Sequence, residues 1–221
     1  MSILFVLLTF LIVITVNYFY FHVPLAAPPA TKVVVRPRVP VVAKEAGLSI
    51  PQGYSFHPGH TWVVREATND ARIGLDKFAA DLLGTIDRIE VADPSRWVRQ
   101  GQRLVTIHSG GASFDLLSPV EGVVMAVNEE VVKNPALAVG DPYKEGWMAV
   151  LKSPDLRTSQ KNLLQGSMVA PWMHYSASRL KETLASVNPA LAQDGGAPLT
   201  GILPRVEPQL RQKLIQEFFL N

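Results

Sequence analysis

The sequence predicts a mainly β domain between an apolar N-terminal helix and a helical extension at the C-terminus. Short runs in which apolar and polar residues alternate, separated by turn residues, fill the middle of the chain and are typical of strands. A run of about 20 residues without a charged side chain opens the chain. After residue 156 the apolar residues recur at three- or four-residue steps, as in helices. We therefore divide the chain into residues 1–23, 24–52, 53–156 and 157–221.

The N-terminal run, residues 2–21, contains no Asp, Glu, Lys or Arg. Because about 20 apolar residues in a helix can cross a bilayer, and Tyr18 and Tyr20 suit its interface, we expect residues 1–23 to form one transmembrane helix. A cleaved signal peptide with Leu25-Ala26-Ala27 as the processing site is the alternative. No positively charged region precedes the apolar run, which favours the anchor.

Basic residues follow this run, and none precedes it: Lys32, Arg36, Arg38 and Lys44. The positive-inside rule then predicts a soluble domain on the cytoplasmic side of the membrane. Residues 24–52 contain six prolines and indicate a semi-extended linker, in which about 25 residues at about 3.1 Å each reach about 80 Å. Val33-Val34-Val35 and Val41-Val42 could pair as short strands, but no turn signal lies between them.

Composition limits the classes of function. The chain has 221 residues, 48% of them hydrophobic, and a formal net charge of +2. These values allow one domain of ordinary size with appendages and do not suggest a nucleic-acid partner. The chain has no cysteine, which excludes disulfides, thiolate metal sites and cysteine nucleophiles.

Strands are predicted at Arg103–Ile107 and Val123–Val127, where the alternation is clear. Gly110-Gly111 lies between two apolar-rich runs. Because both glycines can adopt positive φ, the pair is a strong signal for a two-residue hairpin turn. Pattern alone does not distinguish the resulting architecture from other small β barrels.

A series of motifs between Tyr54 and Asp155 resembles the H protein of the glycine cleavage system. In chain order they are Tyr54 with His60-Thr61-Trp62, Ile73-Gly74-Leu75, Phe78 to Gly84, Ser118-Pro119-Val120-Glu121-Gly122, Val127-Asn128-Glu129, Asn134-Pro135 and Gly140 to Met148. The resemblance implies a barrel-sandwich hybrid of the lipoyl/biotinyl type, a carrier role without catalysis, and protein partners that exchange groups with a lipoyl arm.

The residue that carries the lipoyl group in this family is missing. Counting back from Ser118-Pro119-Val120, the family's lipoylated lysine falls on Gly111, which has no side chain to acylate. No lysine occurs between Lys77 and Lys133. The basic residues nearby are arginines, whose guanidinium stays protonated and accepts acyl groups poorly: Arg88, Arg96, Arg99 and Arg103. We therefore expect no attached lipoate and no other cofactor.

The C-terminal extension indicates two helices. The first carries Val169, Trp172, Ser176, Leu180 and Leu184 on one face, with Pro171 in its first turn. The second is expected to begin at Pro208, and Asp194 to Pro198 form a turn between them. The two helices either cover the barrel or present an apolar docking surface with large anchors at Trp172, Met173, Phe218 and Phe219.

Other candidate chemistries are weaker. His57 and His60 flank a Pro58-Gly59 turn and lack a third ligand nearby, so we interpret them as structural and predict no metal site. His108, Ser109, Ser113 and Asp115 contain the residue types of a nucleophilic triad, but residues this close on one hairpin seldom converge on an oxyanion hole. Gly110-Gly111 lacks the lysine and the helix start of a phosphate loop. We expect no enzyme activity.

The expected function is that of a non-lipoylated, membrane-anchored H-protein-like subunit that acts as a scaffold or adaptor in a larger complex. A partner would recognise the hairpin face, made of His108, Ser109, Gly110, Ala112, Ser113 and Phe114. One alternative is an acyl carrier modified at another lysine, for instance Lys133 or Lys144. A third possibility is a regulator that binds a lipoyl-like ligand without a covalent bond.

Overall fold

The structure, a computed structural model, describes residues 6–15, 42–45, 48–187 and 200–220. The chain divides into two compact units, Met1–Val35 and Arg36–Asn221. In the first unit, residues 6–15 form helix α1. Within the described residues, no helix has both the length and the apolar character needed to cross a membrane. The remainder of the predicted span 1–23 lies outside the described residues, as do Lys32, Arg36, Arg38 and the side chain of Lys44.

The second unit is mainly β, as predicted. Its described strands are β1 (Val42–Glu45), β2 (Leu48–Pro51), β3 (Ser55–Phe56), β4 (Thr61–Arg65), β5 (Asp70–Leu75), β6 (Arg88–Val91), β7 (Trp97–Val98), β8 (Arg103–Ser109), β9 (Ala112–Leu117), β10 (Gly122–Val127) and β11 (Trp147–Lys152). Its described helices are α2 (Lys77–Leu83), α3 (Glu129–Lys133), α4 (Ala136–Gly140), α5 (Leu156–Gln160), α6 (Val169–Val187) and α7 (Pro208–Phe219).

The strands form one large and two small antiparallel sheets. The large sheet has the order β3-β4-β5-β11-β10-β7, and a three-stranded sheet has the order β6-β8-β9. Strands β1 and β2 pair separately. The inward faces of the two larger sheets supply a continuous apolar core, in which Trp62, Ile107 and Leu151 are fully buried. The strands predicted at 103–107 and 123–127 are confirmed as parts of β8 and β10.

Local sequence explains where helix α2 begins and ends. The carboxylate of Asp76 accepts a hydrogen bond from the backbone N–H of Ala79 at 2.9 Å, which caps the helix N-terminus. Gly84 ends the helix with φ of 67°, a conformation that favours glycine. The helix inserts Phe78 and its other apolar side chains into the core. The predicted strand, short helix and glycine turn are therefore present in order.

The predicted linker 24–52 differs from the structure at its end. Residues Val42–Glu45 pair with Leu48–Pro51 in a two-stranded sheet, where an extended tether was expected. The sequence between these strands contains no Asn-Gly or similar turn pair, so the hairpin gave no local signal. The alternative in which Val33-Val34-Val35 pairs with Val41-Val42 involves residues 33–35 and 41, which lie outside the described residues, and Val42 pairs with Pro51.

The two predicted C-terminal helices are present, and the second begins at Pro208 as expected. Their large apolar side chains point into the protein: Met173, Phe218 and Phe219 are buried, and Trp172 is partly buried against the core. The alternative in which these residues anchor an external partner is therefore corrected, because an interface anchor must be accessible. The other alternative is the one observed: the helices cover the barrel. The turn expected at 194–198 lies outside the described residues.

Phe219→Ala tests the energetic contribution of this cover. The Phe219 ring is fully buried and stacks on Phe114 with a centroid distance of 4.4 Å. Its removal should leave a cavity and lower the free energy of unfolding by about 3–5 kcal/mol, measured by urea denaturation. Tyr175→Ala removes an aromatic side chain that is 66% exposed on α6 and should change stability by less than about 0.5 kcal/mol. Equal effects of the two substitutions would contradict the arrangement.

Candidate functional site at the hairpin tip

Strands β8 and β9 form the hairpin whose tip is the expected lipoyl position. Ser109 pairs with Ala112, which leaves Gly110 and Gly111 as a two-residue turn. Their φ values are 56° and 78°, both in the left-handed region that favours glycine. The predicted hairpin turn is confirmed, and Gly111 lies exposed at its tip.

The two faces of the hairpin have different environments. Ser109 is fully buried and donates a hydrogen bond to the carbonyl of Thr85 at 2.6 Å, and Phe114 is also buried. His108 and Ser113 lie on the outer face, where they pair across the strands and stay at least partly exposed. Of the six residues predicted to meet a partner, Ser109 and Phe114 therefore face the core. Gly110 and Ala112 are partly exposed.

The C-terminal segment, residues 200–220, packs against the turn at Gly110 and leaves Gly111 exposed. The guanidinium of Arg211 donates a hydrogen bond from Nη1 to the carbonyl oxygen of Gly110. The same group donates to three carbonyls of its own segment, those of Leu203, Pro204 and Val206, at 3.0 to 3.2 Å. Because one rigid, five-donor guanidinium serves both sides, it joins the hairpin turn to the C-terminal segment.

Pro204 packs directly on the turn. A Cβ atom at Gly110 would lie 2.6 Å from Cβ of Pro204 and 2.8 Å from its Cα, distances that no real contact allows. At Gly111 the nearest atom would be Nη1 of Arg211 at 3.9 Å, an ordinary contact. Gly110 is therefore required by packing as well as by φ, whereas Gly111 is required by φ alone.

The start of the C-terminal segment is held by a second close contact, between Gly201 and the end of α2. The backbone N–H of Gly201 donates to the carbonyl of Asp81 at 2.7 Å. A Cβ atom at Gly84 would lie 2.3 Å from Cα of Gly201, so the two backbones touch. At its other end the segment places Phe219 on Phe114. Contacts at both ends and at the turn fix the segment across the hairpin.

The residue types of a nucleophilic triad on the hairpin do not converge. The buried Ser109 hydroxyl is bound to Thr85, and an oxygen of Asp115 accepts a hydrogen bond from Thr106 at 2.7 Å. His108 points to the outer face, where its Nε2 lies 3.2 Å from an oxygen of Glu90. The imidazole of His108 therefore lies on the opposite face of the hairpin from the Ser109 hydroxyl and is not positioned to activate it.

The two histidines of the Pro58-Gly59 turn have structural partners. His60 is buried, and its Nδ1 lies 2.8 Å from a carboxylate oxygen of Asp76. The Nδ1 atom of His57 accepts a hydrogen bond from the backbone N–H of Gly59 at 3.0 Å. These contacts agree with the structural interpretation of both residues. Across the described ranges no group of three or more His, Cys, Asp or Glu side chains is arranged to hold a metal ion.

Known proteins resemble this chain over the barrel. The family model for the glycine cleavage H-protein matches residues 54–174, just over half of the chain. The H protein of Bifidobacterium longum is 36% identical over 108 residues, 49% of this chain and 78% of that protein. That of Legionella pneumophila strain Corby is 41% identical over 97 residues, 44% of this chain and 77% of that protein. The crystal structure of the Mycobacterium marinum H protein superposes with a TM-score of 0.49 and 23% identity, covering 57% of this chain and 98% of that one.

The chain belongs to the glycine cleavage H-protein family. H proteins are lipoyl carriers and not catalysts, in agreement with the prediction that this chain is not an enzyme. The family match ends at residue 174, later than the boundary at 156 expected from the motifs, so it includes the first turns of α6. Residues 200–220, which close the hairpin tip, lie outside the match.

Sequence reasoning missed the residues that close the tip. Arg211 and Gly110 are 101 positions apart, and no periodicity or turn signal connects residues at that distance. Gly84 and Gly201 could not be connected from the sequence either. The reason for a glycine at position 84 is visible only in the structure, where its backbone touches that of Gly201. The hairpin turn at Gly110-Gly111, which has a local signal, was placed correctly.

Gly110→Ala and Gly111→Ala test the fit of the turn. Both substitutions place a side chain at positive φ, which costs about 1–2 kcal/mol. Only Gly110→Ala also meets Pro204, and overpacking adds about 1–3 kcal/mol. We expect urea unfolding to show a clearly larger loss of stability for Gly110→Ala. Equal losses would show that Pro204 does not pack on the turn.

The stability of the barrel should depend on the protonation of His57. Burial lowers the pKa of His57 below its ordinary value, and the neighbouring His60 lowers it further. Below about pH 6.5 the unfolded chain then binds more protons than the folded one, so stability falls as the pH drops. Urea unfolding of the wild-type chain between pH 7 and pH 5 should show this loss, and His57→Asn should show less of it. His174→Asn, at an exposed histidine of α6, should keep the wild-type pH dependence.

Proposed function

We propose that this chain is a non-lipoylated H-protein-like subunit that serves as a scaffold or adaptor in a larger, membrane-associated complex. The observation that carries the proposal is that the chain's own C-terminal segment packs on the hairpin turn at Gly110, next to the expected lipoyl position. A lipoyl carrier needs an accessible amine at the tip and a free path for the arm. Here the tip has Gly111, and the guanidinium of Arg211 is bound to the adjacent carbonyl.

The chemistry of the tip supports the absence of lipoate. Glycine offers no nucleophile, and a guanidinium remains protonated and does not accept an acyl group readily. The described residues from Lys77 to Lys133 contain no other lysine that a shifted register could supply. Protein partners are in keeping with the family, because H proteins interact with other subunits of the glycine cleavage complex. The partner proposed here is a subunit that recognises the fold without receiving a lipoyl arm.

Membrane attachment is part of the proposal and rests on the sequence. Residues 2–21 contain no Asp, Glu, Lys or Arg, and the basic residues that follow favour a cytoplasmic barrel. Fractionation of cells that express the full chain, followed by carbonate extraction, tests the attachment. The chain should remain in the membrane pellet, and a variant that begins at residue 42 should be released. If carbonate released the full chain as well, membrane attachment would no longer be part of the proposal.

A carrier modified elsewhere is the second candidate, because the family consists of lipoyl carriers. Lys133 at the end of α3 and Lys144 before β11 are both exposed. Neither lies on the hairpin, so an arm at either position would need a different docking geometry. An acyl-sized mass adduct removed by Lys133→Arg or Lys144→Arg would favour this candidate over the scaffold.

Isolation in mild detergent, with intact mass taken on the same sample, separates the two candidates. The scaffold predicts stoichiometric protein subunits and the mass of the unmodified chain. A chain that is isolated alone, or that carries an acyl adduct, would overturn the proposal. The subunits found would also identify the complex.

Restoring a lysine tests whether closure of the tip matters beyond the missing amine. We expect Gly111→Lys, co-expressed with a lipoate ligase, to be acylated in only a small fraction of molecules, because the new side chain lies beside the Arg211 guanidinium at positive φ. Gly111→Lys with Arg211→Ala should be acylated several-fold more, as judged by intact mass. Gly111→Lys with Arg157→Ala removes an exposed arginine of α5, outside residues 200–220, and should behave like the single variant. Complete acylation of Gly111→Lys alone would show that the segment does not restrict the tip.

A further inference from the structure

One edge of the large sheet carries an exposed apolar patch with arginines around it. We call it the Trp97 patch; its members are Trp97, Val123, Met125, Arg96, Arg99 and Arg103. Trp97 is 48% exposed and Met125 is 46% exposed, high values for side chains of this size in a well-packed barrel. The family motifs and the closed hairpin tip do not include this surface.

Strand pairing places two of the apolar members side by side, since Trp97 on β7 pairs with Val123 on β10. Met125 is exposed further along β10, at an irregularity in the pairing of that strand with β11. Strand β7 is the last strand of the six-stranded sheet, so one side of the patch is a sheet edge. Exposed edges are surfaces that proteins normally cover or protect.

The charges beside the patch are unbalanced. Arg96 and Arg103 line a polar cleft of about 220 Å³, Arg96 immediately precedes Trp97 in the chain, and Arg99 is exposed two residues after Trp97. Within the part of the chain that the structure describes, these three guanidinium groups form no ion pair. The cleft also contains Glu90, which is bound to Arg88 at 2.5 Å, and Asp93. Arg96 and Arg103 therefore share the cleft with the Asp93 carboxylate, which is in no ion pair of the described residues, and Arg99 adds a further positive charge outside the cleft.

We infer that the Trp97 patch binds an acidic surface of a partner protein, with Trp97 and Met125 as the apolar centre and the arginines as a carboxylate-binding rim. Trp, Met and Arg are the residue types enriched in protein interfaces, and Trp and Arg dominate their energetics. Arginine binds carboxylates through two parallel hydrogen bonds, which gives the rim its preference for acidic side chains. The inference rests on the proposed scaffold role and names the surface through which the scaffold binds its partner.

A lipid surface fits the patch less well. Interfacial insertion requires apolar side chains that reach about 5–10 Å into the headgroup region, usually from an amphipathic helix. Trp97 lies on a strand with about half of its surface covered, and its neighbour Val123 is partly buried in the sheet. A half-covered ring on a sheet face suits contact with another folded surface.

Site-specific photo-cross-linking in cells that contain the native complex tests this inference. The cross-linking amino acid replaces Met125 in the full chain, which keeps Trp97 and the arginines, and a control chain has it in place of the exposed Tyr175 on α6. We expect position 125 to cross-link to a peptide rich in Asp and Glu from a subunit that co-purifies with the chain. The yield should fall at least about tenfold with Trp97→Ala or with Arg96→Glu, Arg99→Glu and Arg103→Glu together. The matched triple Arg→Lys variant should keep a larger share of the yield than the triple Glu variant.

Four outcomes would overturn the inference: cross-links to lipid alone, a partner peptide without acidic residues, yields at position 125 no higher than at 175, or no effect of the Glu substitutions. If a subunit still co-purifies in these cases, the scaffold role stands and its surface lies elsewhere. If no subunit co-purifies, both proposals fail. Circular dichroism of each variant distinguishes a lost interface from a lost fold.

Discussion

The hydrogen bond between His60 and Asp76 is the contact on which most of the described architecture depends. One carboxylate oxygen of Asp76 lies 2.8 Å from Nδ1 of His60, and the other accepts the N–H that starts α2. The imidazole then stacks between Phe78 of that helix and Trp172 of α6, at centroid distances of 4.4 and 4.7 Å. Because both polar groups are buried, loss of either would leave an unsatisfied partner in the core, at a penalty of about 1–3 kcal/mol. The His60–Asp76 pair therefore fixes where α2 begins and where Trp172 of α6 packs.

Close backbone contacts at two glycines hold the C-terminal segment on the barrel, in addition to the hydrogen bonds of Arg211. It meets the barrel where Gly84 faces Gly201 and where Gly110 faces Pro204, and in both places a Cβ atom on the barrel glycine would collide with backbone. Because these glycines have no side chain, the segment comes close enough to the barrel for Arg211 to donate a hydrogen bond to the hairpin turn. A hairpin tip shaped in this way is specific for the segment. The absence of a lysine at Gly111 is thus accompanied by a surface that fits another part of the same chain.

Much of the barrel could be predicted because its signals are local. The Gly110-Gly111 turn, the alternation in Arg103–Ile107 and the proline at the start of α7 each follow from a preference of neighbouring residues. The β1–β2 hairpin and the closure of the tip could not be predicted in this way. The first is connected by Ala46-Gly47, which is not one of the residue pairs typical of two-residue hairpins, and the second joins residues about a hundred positions apart. Phe219 illustrates the limit: its apolar character was clear from the sequence, but whether it faced a partner or Phe114 depended on tertiary contact.

Closure of the tip changes which surfaces can supply binding energy. The one large apolar side chain of the predicted hairpin face, Phe114, is buried under Phe219. What remains exposed on that face is small or polar, and its His108 contacts Glu90 of β6, which also contacts Arg88. Exposed ion pairs of this kind contribute about 0–1 kcal/mol each, so they give a partner little reason to dock there. The half-exposed Trp97 on the edge of the large sheet offers apolar area that the hairpin has lost. An H-protein fold whose tip is occupied by its own chain is therefore expected to be recognised through its sheet edge.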